Sequence, residues 1–288
     1  MILVTGAAGK TGKAVVKALA AKGVPVRAMV RKPQNVAALQ LLGAAHVIVG
    51  SFDEPAALAR AADGVHAVYH ICPNVSRDEV AYARAVVTAA KAHGVGRFVY
   101  HSVLHPQIEV MPHHWAKMQT EELLFAAGFD LTVLQPAAYM QNILGAWRGI
   151  IVDGVLRTPY PTETRISLVD LADVAEAAAL VLTKPGHRGA TYELVGSEPL
   201  SQTEIAAAIS AALKRPVRAE AEAVEAWEAR ARDGGMGEHE RHTLVAMFRY
   251  YADHGLIGNP NALSWLLGRP PKSLADFLAR VAATGLDG

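Results

Sequence analysis

Three glycines at intervals of three stand near the start of the chain. Gly6-Ala7-Ala8-Gly9-Lys10-Thr11-Gly12 follows the apolar run Ile2-Leu3-Val4. It precedes residues 13–21, where Val15, Val16, Leu19 and Ala20 recur at helical spacing. Gly23 stops that helix as C-cap glycines do, and residues 24–30 read as a second strand. In this strand–turn–helix–strand setting each glycine has its own task. Gly6 permits the tight turn, Gly9 lets the backbone approach a diphosphate, and Gly12 lets the helix pack closely on the strand. The turn, with Ala8, Lys10 and Thr11 between the glycines, ends at a helix start whose N–H groups suit phosphate oxygens. A glycine turn without a ligand is the alternative, and the βαβ context weighs against it.

The second strand ends in Arg31 and Lys32, 19 and 20 residues after Gly12. A dinucleotide site for NAD usually has Asp or Glu here, accepting from the ribose 2′-hydroxyl. Two cations instead suit a 2′-phosphate, which a guanidinium can grip bidentately. The pattern therefore points to NADP(H), with NAD(H) as the lesser form. A solvated basic turn is the competing reading.

The elements that must position these groups alternate along the chain. Strands are expected at residues 46–49, 65–71, 98–100 and 131–134, with helices at 54–63, 79–93 and 115–127 between them. Such alternation gives a doubly wound parallel sheet, whose ligand crevice lies at the carboxyl ends of the strands. Gly6, Arg31, Asp53, Cys72, Ser102 and Pro136 all follow strand ends. Asp53 is also placed to cap the 54–63 helix. Cys72 lacks an evident activating base, which argues against a nucleophilic thiol. His101, His105, His113 and His114 are dense but lack a helical metal-ligand spacing with a carboxylate partner, so no metal site is expected.

The run Val4–Gly12 with its Gly-x-x-Gly-x-x-Gly spacing, followed by Val26-Arg27-Ala28-Met29-Val30-Arg31-Lys32-Pro33, resembles the NmrA-like group of atypical short-chain dehydrogenase/reductases. The resemblance implies that Asp53 contacts the adenine amino group and that the Cys72-Pro73 loop lies along the cofactor. Ser102 stands where those enzymes carry their serine. Lys117, followed by Glu121-Glu122-Leu123-Leu124, matches a Lys-x-x-x-Glu-x-x-Leu pattern, which implies a contact with the nicotinamide ribose. The position of the usual tyrosine falls on His113. A histidine can act as acid or base near neutral pH, but many members of the group lack the tyrosine altogether. Tyr139, in the segment after Pro136, is the other candidate proton donor. The bland alternatives are a solvated helix lysine at 117 and an exposed loop histidine at 113.

Beyond Pro136, Asp170 is expected to cap a helix, and Ser201-Gln202-Thr203-Glu204 reads as a capping box. From Ala219 the chain reads as helical, with Met247, Phe248, Tyr250 and Tyr251 on one helix. They form either core or the wall of an apolar pocket. The fold expectation is α/β: a doubly wound parallel (Rossmann-type) sheet with a smaller C-terminal α/β substrate lobe. Residues 1–136 plus about 165–184 would form the dinucleotide-binding domain, and 137–164 with 185–288 the substrate lobe.

Composition narrows the functions. With 28 Lys+Arg against 27 Asp+Glu, no excess charge is available for nucleic-acid phosphates. At 51% hydrophobic residues the chain is not intrinsically disordered. One cysteine excludes an internal disulfide, and no leader or membrane span is evident, so a cytoplasmic location is expected. The expected function is NAD(P)H-dependent hydride transfer to a small apolar carbonyl, quinone or aromatic substrate. A non-catalytic NADP(H)-binding redox sensor is the alternative, and an epimerase- or dehydratase-like use of the fold a third. The expected partner is a small-molecule substrate, with a homodimer left open.

Overall fold

The computed structural model describes residues 1–196 and 198–284. Its elements run β1 (Ile2–Val4), α1 (Lys10–Ala21), β2 (Val26–Val30), α2 (Val36–Leu41), β3 (His46–Val49), α3 (Pro55–Ala62), β4 (Ala67–His70) and α4 (Glu79–Ala92). There follow β5 (Arg97–His101), α5 (Pro112–Phe125), β6 (Asp130–Pro136), β7 (Ala138–Tyr139), α6 (Trp147–Asp153), β8 (Val155–Thr158), β9 (Leu168–Val169) and α7 (Leu171–Thr183). The chain closes with β10 (Ala190–Leu194), α8 (Gln202–Leu213), β11 (Arg218–Ala221), α9 (Val224–Asp233), α10 (Glu238–His254), α11 (Asn261–Leu267) and α12 (Leu274–Thr284). None of the described helices is long and apolar enough to cross a membrane.

The seven-stranded sheet has the order β10-β6-β5-β4-β1-β2-β3. The pairings β1–β2, β1–β4, β2–β3, β4–β5 and β5–β6 are all parallel. Every residue of β1 and β4 is buried, as in a sheet covered on both faces. This explains why those strands read as continuous apolar runs instead of alternating ones. The strand order reverses at β1, with β2 and β3 on one side and β4 to β6 on the other. That reversal opens the crevice in which doubly wound sheets bind ligands. Register aligns Val4 with Ala28 and Tyr69, and His101 with Leu134. Gly6, Arg31, Cys72 and Ser102 therefore emerge along one edge of the sheet.

The chain forms two compact units. The first comprises Met1–Gln107, His113–Gln135 and Val174–Tyr192, and the second Ile108–Pro112, Pro136–Asp173 and the residues from Glu193 onward. In the first, Leu3, Val68, Phe98, Tyr100, Leu124 and Val133 form the centre of the core. In the second, Met140, Ile150, Ile205, Ile209, Phe277 and Leu278 do so. The second unit also holds two parallel strand pairs, β8–β11 and β7–β9. The chain from Ala219, expected to be helical, instead begins in β11 (Arg218–Ala221). Pairing with β8 through Arg218↔Val155 to Ala221↔Thr158 overrides the helix propensity of an Ala/Glu-rich stretch.

Helix starts follow their local chemistry. Ser201 and Glu204 form the capping box of α8. Asp170 accepts the Ala172 N–H at 2.9 Å, the Gln141 amide at 2.9 Å and the Arg280 guanidinium. Asp173, with a side chain fully buried, takes Arg269 at 2.7 Å and Lys272 at 2.6 Å. Burial would push its carboxyl up, but the bonds from Lys272 and Arg269 outweigh this and hold it below the usual carboxylate range.

Gly6 has φ +57°, and a Cβ there would lie 2.5 Å from the Ile71 carbonyl oxygen; at Gly12 it would lie 2.4 Å from that of Gly6. Gly6→Ala and Gly12→Ala are each expected to cost about 1–3 kcal/mol in urea unfolding, whereas Gly9→Ala stays within about 0.5 kcal/mol. Wild-type midpoints for the first two would refute the packing argument. For Asp173, a carboxyl depressed in the folded state stabilises above its unfolded value and loses that effect as pH falls through the folded one. The stability gap between wild type and Asp173→Asn should thus be full at neutral pH and close below pH 3.8. A pH-independent gap would contradict the ion-pair account.

Candidate functional site

The site grows from the turn between β1 and α1. Thr5 N–H donates to the Tyr69 carbonyl at 3.0 Å and Ala7 N–H to that of Met29 at 3.3 Å, tying the turn to β4 and β2. The Thr5 hydroxyl accepts from Ile71 N–H at 3.1 Å and lies 2.9 Å from Nδ1 of the buried His70. Gly9 is the extended N-cap of α1, which has no side-chain cap and no acid in its first turn. This leaves the positive end of the helix dipole uncompensated by any side chain of the turn.

The three glycines differ in what demands them. Gly6 and Gly12 are required by the protein's own contacts. A Cβ on the exposed Gly9 would meet nothing closer than 3.4 Å, so internal packing makes no such demand there. Its lack of a side chain keeps clear the ground beside Ala8, Lys10 and Thr11, as an approaching diphosphate needs.

Arg31 and Lys32 close β2 as exposed residues. Neither side chain is engaged by another described residue, which leaves two cations for a phosphate. Asp53 is exposed, accepts from the Ser51 hydroxyl at 3.3 Å and has the Tyr82 hydroxyl at 3.5 Å. It does not cap α3 as the sequence suggested. Glu54 is the N-cap, with Pro55 beginning the helix, because a residue before proline is held extended. Cys72 is buried and Pro73 exposed just after β4. Burial first, and then Glu79, pushes the Cys72 thiol up, so it is no nucleophile at neutral pH. Two residues beyond Pro73, Val75 has φ +52°, a strained conformation for a β-branched residue.

The second part of the site is a buried polar stripe on α5. This helix begins at Pro112, three residues before its expected start. Proline is pre-organised for a first helical position. His113 and His114 consequently sit in the first turn and are buried at 9% and 2% exposure, not on an open loop. His113, Lys117 and Glu121, four residues apart, share one face. Lys117 is 3% exposed, so it is no solvated lysine. Its Nζ donates to Glu79 Oε1 at 2.9 Å and to the His101 carbonyl at 3.1 Å. The Tyr100 hydroxyl donates to the same Glu79 oxygen at 2.8 Å. One turn on, the Ser102 hydroxyl donates to the Glu121 carboxylate, which also accepts the Gln135 amide at 3.0 Å.

Burial governs how these groups titrate. It would raise Glu79, but Lys117 outweighs it and the carboxyl is lowered. Glu121 is raised by burial. Burial, followed by Lys117, lowers both His113 and His101 to about 3. His113 is therefore a neutral imidazole at pH 7. It can offer a ring N–H as a hydrogen bond, but it holds no imidazolium proton to transfer.

Ser102, His113 and Lys117 are thus assembled in the first unit with the glycine turn, Arg31, Lys32, Asp53, Cys72 and Pro73. Pro136 and Tyr139 belong to the second unit. Pro136 ends β6, and Tyr139 is half-buried in β7, in register with Val169. Sequence reasoning missed Glu79, Tyr100 and Gln135. Glu79 had a legible signal: it heads the buried face of α4 that continues through Ala83, Val86, Val87 and Ala90. An acid on an apolar stripe is a buried charge awaiting a partner.

Comparison with known proteins agrees with this fold. The profile of the NmrA-like family matches residues 1–278. The chain is 33% identical over 288 residues to the NAD(P)H azoreductase of Xenophilus azovorans, covering 99% of both proteins. Its fold superposes on the Escherichia coli NADPH-dependent quinone oxidoreductase complexed with NADPH, with a TM-score of 0.86, 28% identity and 98% and 99% of the two chains covered. It also superposes on the Citrobacter sp. triphenylmethane reductase complexed with NADP(H), with a TM-score of 0.85, 25% identity and 98% and 100% covered.

The burial argument predicts that the His113 imidazole, assigned in NMR spectra by its loss in His113→Gln, keeps its chemical shifts from about pH 5 to pH 8. A titration centred near 6.5 would show that the ring is accessible and able to carry a second proton.

Proposed function

Because the chain belongs to the NmrA-like family, we propose that it is an NAD(P)H-dependent oxidoreductase acting on a small apolar quinone, carbonyl or aromatic acceptor. The observation that carries this reading is the uncovered start of α1 beside Gly9, with Arg31 and Lys32 unengaged at the end of the neighbouring strand. The Gly6–Gly12 turn, including Ala8, Lys10 and Thr11, would hold the diphosphate. Arg31 and Lys32 would take the 2′-phosphate, so NADP(H) is preferred and NAD(H) is the weaker ligand. Asp53 would face the adenine amino group, the Cys72-Pro73 backbone and Pro136 would border the cofactor, and Lys117 would meet the nicotinamide ribose. When bound, the reduced dinucleotide supplies the hydride.

Proton accounting narrows the acceptor. His113 is neutral, the Tyr100 hydroxyl and Lys117 are given to Glu79, and Ser102 is given to Glu121. An acceptor suited to such a site holds the added electron pair on a stabilised oxygen or nitrogen. A quinone that takes a hydride becomes a hydroquinone anion and collects its proton from water. This agrees with relatives named for azo, quinone and triphenylmethane reduction. Tyr139 is the proposed donor for an acceptor that needs a proton delivered. The commitment of the Ser102 hydroxyl to Glu121 favours a second reading, a dinucleotide sensor without turnover.

The test is NADPH oxidation with a panel of quinones, azo dyes and enones. Turnover is expected, and Lys117→Ala should lower it. Arg31→Asp should erase a preference for NADPH over NADH of about ten- to hundredfold, the range expected of one charge-assisted contact. Tight NADPH binding without turnover on any acceptor would select the sensor. Equal binding of NADH and NADPH by the wild type would refute the assignment of Arg31 and Lys32.

A further inference from the structure

We propose that Glu79 is a positioning residue that acts through Lys117. Its carboxylate keeps the buried ammonium charged and oriented, so that one N–H remains for the nicotinamide half of the dinucleotide. The proposal rests on the dinucleotide reading above.

The argument starts with the donors. A lysine ammonium has three N–H groups. Two are spent inside the protein, on Glu79 Oε1 and the His101 carbonyl, and the third is what Lys117 can offer a ligand. Both residues are buried, at 3% and 1% exposure. An isolated buried ammonium gives up its proton readily, because desolvation penalises the charged form. The opposing carboxylate reverses that preference.

Stability alone does not account for this acid. Glu79 occupies the first turn of α4's buried face, where an apolar side chain would satisfy the core. Replacing a buried ion pair with apolar residues is often neutral or stabilising. Among the described residues its buried Oε2 has no hydrogen-bond partner, a cost that an apolar residue would avoid. Meanwhile Oε1 is fixed from two sides, by Tyr100 from β5 and Lys117 from α5. The carboxylate is thus held by a rigid strand and in turn holds the lysine.

The groups facing Glu79 make a pH test clean. His70 from β4 is lowered to about 4 by burial, and Cys72 and Tyr100 are pushed up by burial. In the intact protein none of these three changes charge between about pH 6 and pH 9. On the elements that also face Lys117, burial lowers His101 and His113 to about 3 and raises Glu121, and Glu79→Gln takes from the ammonium the counter-charge that offsets its burial.

The experiment compares the full-length wild type and Glu79→Gln for binding of NADPH and of adenosine 2′,5′-bisphosphate, which lacks the nicotinamide half. The ratio of variant to wild-type NADPH affinity should be near one at pH 6 and fall about tenfold by pH 9. The fragment should bind both proteins equally throughout. A pH-independent ratio near one, or equal loss of both ligands at every pH, overturns the proposal and leaves the dinucleotide reading standing. A wild type that binds neither ligand overturns both. Should Glu79→Gln fail to fold, Glu79→Gln/Lys117→Met is compared with Lys117→Met. Equal NADPH affinity supports action through the lysine, and a further loss refutes it.

Discussion

The first turn of α1 lies so close to the loop before it that no side chain fits between them. At Gly12 even a methyl group would meet the Gly6 carbonyl oxygen and the Ala7 backbone at under 3 Å. That approach determines where the helix starts, and hence where its N-terminal N–H groups lie. Thr5 and Ala7 transmit the constraint to β4 and β2 through backbone bonds. The reversal of strand order at β1 then places the ends of β2, β4 and β5 around the same edge. The electrostatics of this edge derive from that packing: a helix dipole without an acidic cap, flanked by two cations that have no partner among the described residues.

Beneath that edge, the first unit carries its charges in an unusual place. A helix of average amphipathicity would turn His113, Lys117 and Glu121 outward. Here α5 turns them inward, and each finds a partner or loses its charge. Lys117 takes Glu79, Glu121 takes Ser102 and Gln135, and His113 is held neutral. A low-dielectric interior strengthens each satisfied bond and penalises each unsatisfied one. The consequence for chemistry is a site rich in fixed dipoles and poor in mobile protons.

Several boundaries show how sequence patterns fail locally. The start of α5 was missed because apolar periodicity begins at Trp115, while the helix begins with a proline and two histidines whose burial no pattern announces. Asp53 looked like a helix cap, yet Pro55 makes Glu54 the boundary residue. Residues 219–221 looked helical and became part of a strand because β8 offered an edge. In each case a neighbour distant in sequence, or the steric rule of a proline, outweighed the local preference.

The glycine turn, the cations after β2 and the alternation of strands and helices were determined by the sequence alone. They rest on local terms: backbone conformations open to few residues, helix and strand periodicity, and the charge of a side chain at a strand end. Family resemblance added Ser102, Lys117 and the His113 position. The partners of these residues were decided only by the tertiary structure. Glu79 meets Lys117 across 38 residues and Tyr100 across 21, and neither pairing leaves a periodic trace in the chain. Burial, which makes His113 neutral and Lys117 dependent on a counter-charge, is a property of the assembled core and of no segment by itself.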